Sequence, residues 1–340
     1  MMNSLTKDSL AIILICSDIG LNMKNDDSLK PYTVSQWNKL FKRLEQSSLK
    51  KPGALFSSDE QVWSKELNLP KDEILRLKKL LARAGQVGIE IEQLQSQGIN
   101  ITTWAEETYP KRLKEVVKEK SSPMFYYCGN LDLLKTKTVA IVGSRNIDEN
   151  GLNYTKKFVT RSVKEELTIV SGGAKGVDII AQETALTSGG SVISVLSDSL
   201  SKKIKQKKVR EAIINGKLLL FSAVSPKAYF TVYNAMNRNK YIYGLSNFAL
   251  VVSSDENKGG TWAGALENIK NKWVPLFVRQ GKDVPKGNQK LINMGAKPLN
   301  EEVLDNKNIR LLNWLNDNTS IIQEKQKYSQ PGLFNSLRPQ

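Results

Sequence analysis

The chain has 340 residues with no histidine and two cysteines, and its 50 Lys and Arg against 34 Asp and Glu give a net charge of +16 at pH 7. The lack of histidine excludes His-based catalytic triads and HExxH zinc sites, and the wide separation of Cys16 and Cys128 argues against a zinc site or a disulfide framework. The positive excess favours a polyanionic partner, nucleic acid first and an anionic membrane surface second, although some proteins are basic without such a partner.

Residues 1–95 predict a small all-helical domain. Apolar residues recur at helical spacing, as with Trp37, Leu40 and Leu44 in "VSQWNKLFKRLEQ", and no strand alternation appears. A second such pattern, "DEILRLKKLLARAG", ends at Gly85, which suits a helix C-cap. The longest apolar run, "LAIILIC", is too short to span a bilayer, and no signal-peptide pattern surrounds it, so we expect a cytoplasmic protein without a membrane partner.

Residues 96–315 predict an α/β domain, followed by a polar, mobile tail over 316–340. After two strand-like segments, "QGINITTW" and "SPMFYYCGNL", strand and helix patterns alternate. The predicted strands cover 138–142, 167–170, 191–196, 217–221, 248–253 and 273–278, and the predicted helices about 150–165, 176–188, 230–241 and 260–271. This alternation indicates a mostly parallel sheet with helices on both faces, which binds ligands at the carboxyl ends of its strands.

Four segments combine small residues with cations in positions suited to anion binding. They are Gly143, Ser144 and Arg145; Ser171, Gly172, Gly173 and Lys175; Asn237, Arg238, Asn239 and Lys240; and Lys258, Gly259, Gly260 and Thr261. Free amides after a glycine turn or at a helix N-terminus can bind phosphate. Asp178, at the start of the helix after the second segment, is explained by a favourable interaction with the helix dipole. Because the four segments fall at one edge of the predicted sheet, we expect one site for several phosphates.

The spacing of these segments favours a string of phosphates over a single nucleotide. The sequence contains no GxxxxGK[ST] motif and no GxGxxG motif, so neither triphosphate hydrolysis nor dinucleotide binding is indicated. Cations on separate loops match single-stranded nucleic acid, on which aromatic side chains stack against bases. The candidate aromatics are Phe230, Tyr233, Tyr241 and Tyr243, of which we expect at least two to belong to the core instead.

At these residues the sequence resembles the DprA/Smf family of DNA-processing proteins. The resemblance runs from about Gln97 to Leu299 and rests on six segments in order, among them "VAIVGSR", "SGGAKGVDIIAQ", "FTVYNAMNRNKYIYGLS", "VVSSDENKGGTWAGALE" and "GNQKLINMGAKPL". It implies an extended Rossmann-like domain that binds single-stranded DNA, a homodimer, and delivery of the strand to a RecA-type recombinase. It also implies that the residues of the four segments other than Lys240 bind the strand, and we place Lys240 with them. We expect no catalytic residue, metal or cofactor.

The sequence departs from the family pattern at several positions. Lys175 stands where arginine is common, Gln182 follows Ala181 where the family has histidine, and Lys240 replaces the arginine of an Asn-Arg pair. A lysine-rich run over 201–210 replaces an acidic and aromatic loop. We expect DNA binding to survive these changes, whereas recombinase loading is less firmly implied.

Several alternatives remain open. Divergent relatives resemble components of bacterial anti-phage loci, where an antitoxin-like regulator restrains a neighbouring toxin. "KGGTWAGALE" also resembles the GGxGTxxE motif of Lonely-guy-type phosphoribohydrolases, in which Glu267 would be the catalytic carboxylate and Arg238 the phosphate ligand of a small nucleotide. "QPGLF", Gln330 to Phe334, fits the pentapeptide that docks on the replication sliding clamp.

Overall fold

A computed structural model of the chain describes residues 5–21 and 29–328. The segment Gln330 to Phe334, predicted to dock on the sliding clamp, lies outside the described residues, and the proposed division at 95 and 315 stays a prediction. Within the described ranges, no helix is both long and apolar enough to cross a membrane.

The N-terminal region consists of helices, as predicted. They are α1 (Lys7–Cys16), α2 (Val34–Gln46), α3 (Glu60–Glu66), α4 (Lys71–Leu81) and α5 (Ala84–Ser96). Helix α2 begins with a capping box between Thr33 and Gln36, and the predicted apolar face buries Trp37, Leu40 and Leu44. The predicted C-cap at Gly85 is wrong: α4 ends at Leu81, and Gly85 lies in the first turn of α5. The helical spacing of apolar residues continues across the short junction between α4 and α5, so the sequence pattern does not show where one helix ends and the next begins.

A nine-stranded sheet forms the centre of the molecule. Its strands are β1 (Asn100–Thr103), β2 (Met124–Gly129), β3 (Thr138–Val142), β4 (Thr168–Ser171), β5 (Val192–Leu196), β6 (Leu218–Ser222), β7 (Phe248–Val251), β8 (Leu276–Arg279) and β9 (Lys297–Leu299). The spatial order is β1-β2-β6-β5-β4-β3-β7-β8-β9. Strands β3 to β9 pair in parallel, whereas β2 is antiparallel to both β6 and β1.

Helices cover both faces of this sheet. The remaining helices are α6 (Lys111–Val116), α7 (Glu149–Lys164), α8 (Val177–Thr187), α9 (Leu200–Lys203), α10 (Lys207–Ile214), α11 (Val232–Gly244), α12 (Gly259–Asn271), α13 (Lys286–Asn293), α14 (Glu301–Asp305) and α15 (Leu311–Tyr328). The lysine-rich run over 201–210 therefore contributes to two short helices, α9 and α10. The predicted strand and helix order is confirmed, with shifts of one to three residues at most ends.

Two apolar cores lie on opposite faces because successive residues of a strand point in opposite directions. In β3, Val139 and Ile141 belong to the core that includes α7, α8 and the N-terminal helices. Ala140 and Val142 belong to the second core, which includes α11 and α12. A nearly continuous apolar strand is typical of a parallel sheet buried on both faces. The sheet thus holds its carboxyl edge between two packed layers.

Candidate nucleic-acid interface

The candidate site lies where the strand order reverses. From β3 the chain continues to β4 on one side, whereas β7 pairs with the other side of β3. The connections that follow β3 and β7 must therefore diverge, and in open α/β sheets such divergence leaves a crevice at the carboxyl edge. The Ser144 amide donates to the Ser253 carbonyl at 2.9 Å, which joins the two connections at the base of the crevice.

A cavity of about 400 Å³ occupies this crevice. Nine of the predicted residues line it, namely Gly143, Ser144, Arg145, Arg238, Asn239, Lys258, Gly259, Gly260 and Thr261. The structure therefore brings together the first and fourth segments completely and half of the third. The second segment (Ser171, Gly172, Gly173 and Lys175) does not line the cavity.

The first segment leaves Arg145 exposed at the rim. Its guanidinium lies over the Phe230 ring, with 5.5 Å from Cζ to the ring centroid. The Ser144 hydroxyl accepts from the Asn146 amide at 3.2 Å, which fixes the turn. A cation over an aromatic face gains electrostatic attraction while its N–H groups stay available to an anion. Arg145 and Phe230 thus form a rim of mixed charge and aromatic surface.

The second segment supports the site from beneath. Ser171 donates its hydroxyl to the Ile141 carbonyl at 2.8 Å, and the Gly172 amide donates to Asp178 Oδ2 at 3.1 Å. Their polar groups are thus used within the fold, and both residues are buried. Lys175, by contrast, is exposed but away from the cavity. The segment therefore positions other side chains and does not itself line the cavity.

The third segment lies on α11 and not in a turn. Arg238 is 8% exposed, and its Nη1 donates to the Val195 carbonyl at 2.6 Å. Its Nε has no hydrogen-bond partner among the described residues, although Arg238 lines the cavity. A buried guanidinium with an unused donor is unfavourable until an acceptor arrives. Arg238 is therefore prepared for an anionic group.

Asp178 is a cavity-lining residue whose place in the site the sequence did not reveal. The sequence interpretation placed it at a helix start and explained it by the helix dipole alone. It is 6% exposed, and burial raises the pKa of its carboxyl from 3.8 to about 6, against the lowering effect of the Arg238 charge and the Gly172 amide. The segment "SGGAKGVD" was the available signal, because it places this carboxylate just after the second glycine turn.

The fourth segment opens helix α12. Lys258 occupies the N-cap position, and no side chain caps the helix there. Gly259 and Gly260 are exposed and line the cavity, so the first amides of α12 face it without a protein acceptor from a capping side chain. Asn239 donates its Nδ2 to the Gly260 carbonyl at 3.0 Å, which ties α11 to this helix start.

Two predicted residues of the third segment belong elsewhere. Asn237 and Lys240 line a different cavity, between α2 and α11.

The four candidate aromatics also divide into two groups. Phe230 and Tyr233 are 49% and 76% exposed, whereas Tyr241 and Tyr243 are each 1% exposed. The expectation that at least two of them belong to the core is confirmed.

Glu267, the carboxylate of the phosphoribohydrolase alternative, does not line the cavity that Arg238 lines. It lines two neighbouring cavities instead.

Among the described residues, no group of three or more His, Cys, Asp and Glu could hold a metal ion. Cys16 and Cys128 are free thiols, and burial raises the pKa of each.

Comparisons with known proteins agree with this architecture. The family model of DNA recombination-mediator protein A matches residues 100–307. DNA processing protein DprA of Streptococcus pneumoniae is 32% identical over 197 residues, which cover 56% of this chain and 68% of that protein. Protein Smf of Escherichia coli K12 is 31% identical over 195 residues, covering 56% of this chain and 52% of that protein. The chain thus spans between half and about two thirds of these relatives' length.

Two solved structures have the same fold. The crystal structure of DprA from Streptococcus pneumoniae gives a TM-score of 0.65 at 22% identity and covers 87% of this chain and 95% of that chain. DprA from Helicobacter pylori, solved to describe its single-stranded DNA binding mode, gives 0.52 at 24% identity, covering 67% and 98%. Because the family model matches more than half of the residues, the chain belongs to the family of DNA recombination-mediator protein A, the DprA/Smf proteins.

Proposed function

We propose that the protein binds single-stranded DNA across the cavity at the carboxyl edge of its sheet and acts in DNA processing or recombination without breaking a bond. The observation that carries this proposal is the convergence of Arg145, Arg238 and the uncapped start of α12 on one cavity. Three separate elements supply these groups. A chain of phosphates can use all three at once, because each phosphate is held by a different element.

The interior of the cavity suits a phosphate group. Arg238 lines the cavity with a full positive charge, and the first amides of α12 offer positive partial charge. Asp178 opposes an anion when ionised, but its raised pKa lets it take up a proton as the anion approaches. Binding is therefore accompanied by partial protonation of this carboxyl.

The rim suits nucleobases. Tyr229, Phe230 and Tyr233 are 80%, 49% and 76% exposed and follow one another just before and within the first turn of α11. Large exposed aromatics beside a phosphate site provide stacking surfaces that accept any base. We therefore infer binding that depends weakly on base sequence.

The other partners stay predictions. The homodimer, the RecA-type recombinase, the sliding clamp and a neighbouring toxin are each implied by resemblance alone, as is a role in phage defence. The Helicobacter pylori relative is described as binding single-stranded DNA, which supports the DNA partner but not these.

The enzymatic alternative needs a carboxylate and a phosphate ligand at one cavity. Glu267 and Arg238 line different cavities, so the arrangement favours binding without hydrolysis. An antitoxin-like regulator remains the second alternative, and it predicts a stable complex with the product of a neighbouring gene.

The test is a titration with a fluorescent single-stranded oligonucleotide beside a nucleoside monophosphate, at several salt concentrations. The proposal predicts tight oligonucleotide binding whose log K falls with log salt by about 0.7 for each phosphate contacted. Preferential binding of the monophosphate with a flat salt dependence, or release of a free base, would overturn it.

A further inference from the structure

A second groove lies beside the site. It has a volume of about 940 Å³ and runs between α2 of the N-terminal region and α11 of the sheet region. We call it the α2–α11 groove. Lys39, Lys42, Lys120 and Lys240 line it beside Glu45, Glu119 and Glu267. Its walls come from residues far apart in sequence, so it exists only because the N-terminal helices pack against the sheet region.

Lys240 is the unusual residue of this groove. It is 9% exposed, yet within the described parts of the chain its ammonium has neither an ion pair nor a hydrogen bond. Its Nζ lies over the Tyr241 ring, 5.1 Å from the centroid. Burial lowers the pKa of Lys240, and the Lys120 charge lowers it further, whereas Glu267 partly compensates. A buried cation without a bonded carboxylate is stabilised when an anion enters.

The groove also offers an aromatic surface. The rings of Phe41 on α2 and Trp104 after β1 are stacked, with centroids 6.2 Å apart and an interplanar angle of 19°. Both line the groove and both are only partly buried. Trp37, Trp63, Trp262 and Trp273 are buried, and Trp314, which lines neither the groove nor the main cavity, is partly buried. A partly open indole beside lysines provides the pairing of stacking and charge by which single strands are held.

The groove connects with the main cavity. A third cavity of about 240 Å³ lies between them along α11. It shares Met236 and Asn239 with the main cavity, and Asn237 and Glu267 with the α2–α11 groove. Exposed Tyr233 also lines it. A strand leaving the main cavity therefore meets a lined path to the second groove.

We propose that the α2–α11 groove binds the continuation of the same DNA strand, with a phosphate at Lys240 and a base against Trp104. This inference rests on the proposed function and extends the binding surface onto the N-terminal helices. The groove then determines how many nucleotides one protein molecule covers. A strand that fills only the main cavity is indifferent to Lys240, whereas a longer strand depends on it.

The test compares Lys240→Gln with Lys270→Gln on oligothymidines of about 6 and about 20 nucleotides. Lys270 is an exposed lysine of α12 that lines neither cavity. We expect Lys240→Gln to bind the short strand as the wild type does. On the long strand we expect about tenfold weaker binding, as for one lost charge-assisted contact, with a salt slope smaller by about 0.7. Lys270→Gln should match the wild type on both strands, and thermal melting checks that both variants fold.

Tryptophan fluorescence provides a second readout. The long strand should quench the wild type more than the short strand does, and Trp104→Phe should remove that difference. Two results overturn the inference and leave the main site in place. In the first, Lys240→Gln binds the long strand with wild-type affinity. In the second, Lys240→Gln weakens binding of the short and the long strand equally. A long strand that leaves Trp104 unquenched also overturns it. Failure of the wild type to bind either strand removes the proposed function itself.

Discussion

Arg238 packs directly against Gly172. A β-carbon added to Gly172 would lie 1.8 Å from Arg238 Nη1, far inside van der Waals contact. The same glycine donates its amide to Asp178, so one small residue seats both buried charged groups of the cavity. The glycine-rich second segment therefore shapes the site without lining it, because a larger residue would displace the guanidinium.

Gly172→Ala should disrupt the site. The added methyl forces Arg238 away from the Val195 carbonyl, and overpacking of this kind costs about 1–3 kcal/mol of unfolding free energy. DNA affinity should fall at least as far as in Arg238→Ala. Gly88→Ala is the matched control, because Gly88 lies within α5 and its added β-carbon would have no atom within 4 Å apart from its own stretch of helix backbone. That control should gain about 0.5–1 kcal/mol in urea unfolding. Unchanged stability and affinity in Gly172→Ala would contradict the packing.

DNA affinity should depend on the protonation of Asp178. The chain contains no histidine, so few other groups titrate near pH 6. Burial raises the pKa of the Asp178 carboxyl to about 6, and the groups facing it are the Arg238 guanidinium, the Ser171 hydroxyl and the amides of Gly172 and Ala174. An entering phosphate is repelled less by a protonated carboxyl, so affinity should decrease from pH 5 to pH 7.5. Asp178→Asn should remove this decrease, measured by oligonucleotide titration at constant salt.

The same carboxyl affects stability with a defined sign. Its folded pKa of about 6 exceeds its ordinary value of 3.8, so the folded state retains the proton more strongly. Between these two pH values the group lowers the unfolding free energy as pH rises, by at most about 1.4 kcal/mol per pH unit. The stability of Asp178→Asn relative to wild type should therefore rise over that interval, as followed by urea unfolding. A constant difference would contradict the burial of an ionisable group here.

The exposed aromatics should contribute to DNA affinity and not to folding. Phe230→Ala and Tyr233→Ala should each weaken oligonucleotide binding by about 1–3 kcal/mol, the range for one stacked base. Ile214→Ala, at an 82% exposed apolar residue away from the cavity, is the control and should bind as the wild type does. Melting temperatures should change little in all three. Loss of affinity in Ile214→Ala, with wild-type affinity in Phe230→Ala and Tyr233→Ala, would place the strand elsewhere.

Much of the architecture could be predicted from the sequence, because short β-branched runs such as Val139–Val142 alternate with longer helical patterns. The spatial order could not, since pairings such as Tyr126 with Ser222 join residues far apart in the chain. The helix break near Gly85 was also missed, because α4 and α5 meet without a strong breaker.

The candidate site was also predicted only in part, because packing decides which cavity each side chain faces. Motif spacing located Arg145 and Lys258 because each follows a strand at the carboxyl edge. It could not separate Asn239 from Lys240, which are adjacent on α11 but line different cavities. Successive residues of a helix point about 100° apart, so a cluster of polar residues within one helix divides between two surfaces. Only the packing of α11 decides which residue faces which cavity.

The most direct test of the central claim is the salt dependence of oligonucleotide binding in Arg145→Ala beside Arg310→Ala. Both changes remove one exposed arginine and the same net charge, but only Arg145 lines the cavity. If the strand binds at the carboxyl edge of the sheet, Arg145→Ala should lose about tenfold or more in affinity and about 0.7 in the slope of log K against log salt, while Arg310→Ala stays near the wild type. Equal losses in the two variants, or none in either, would contradict the account.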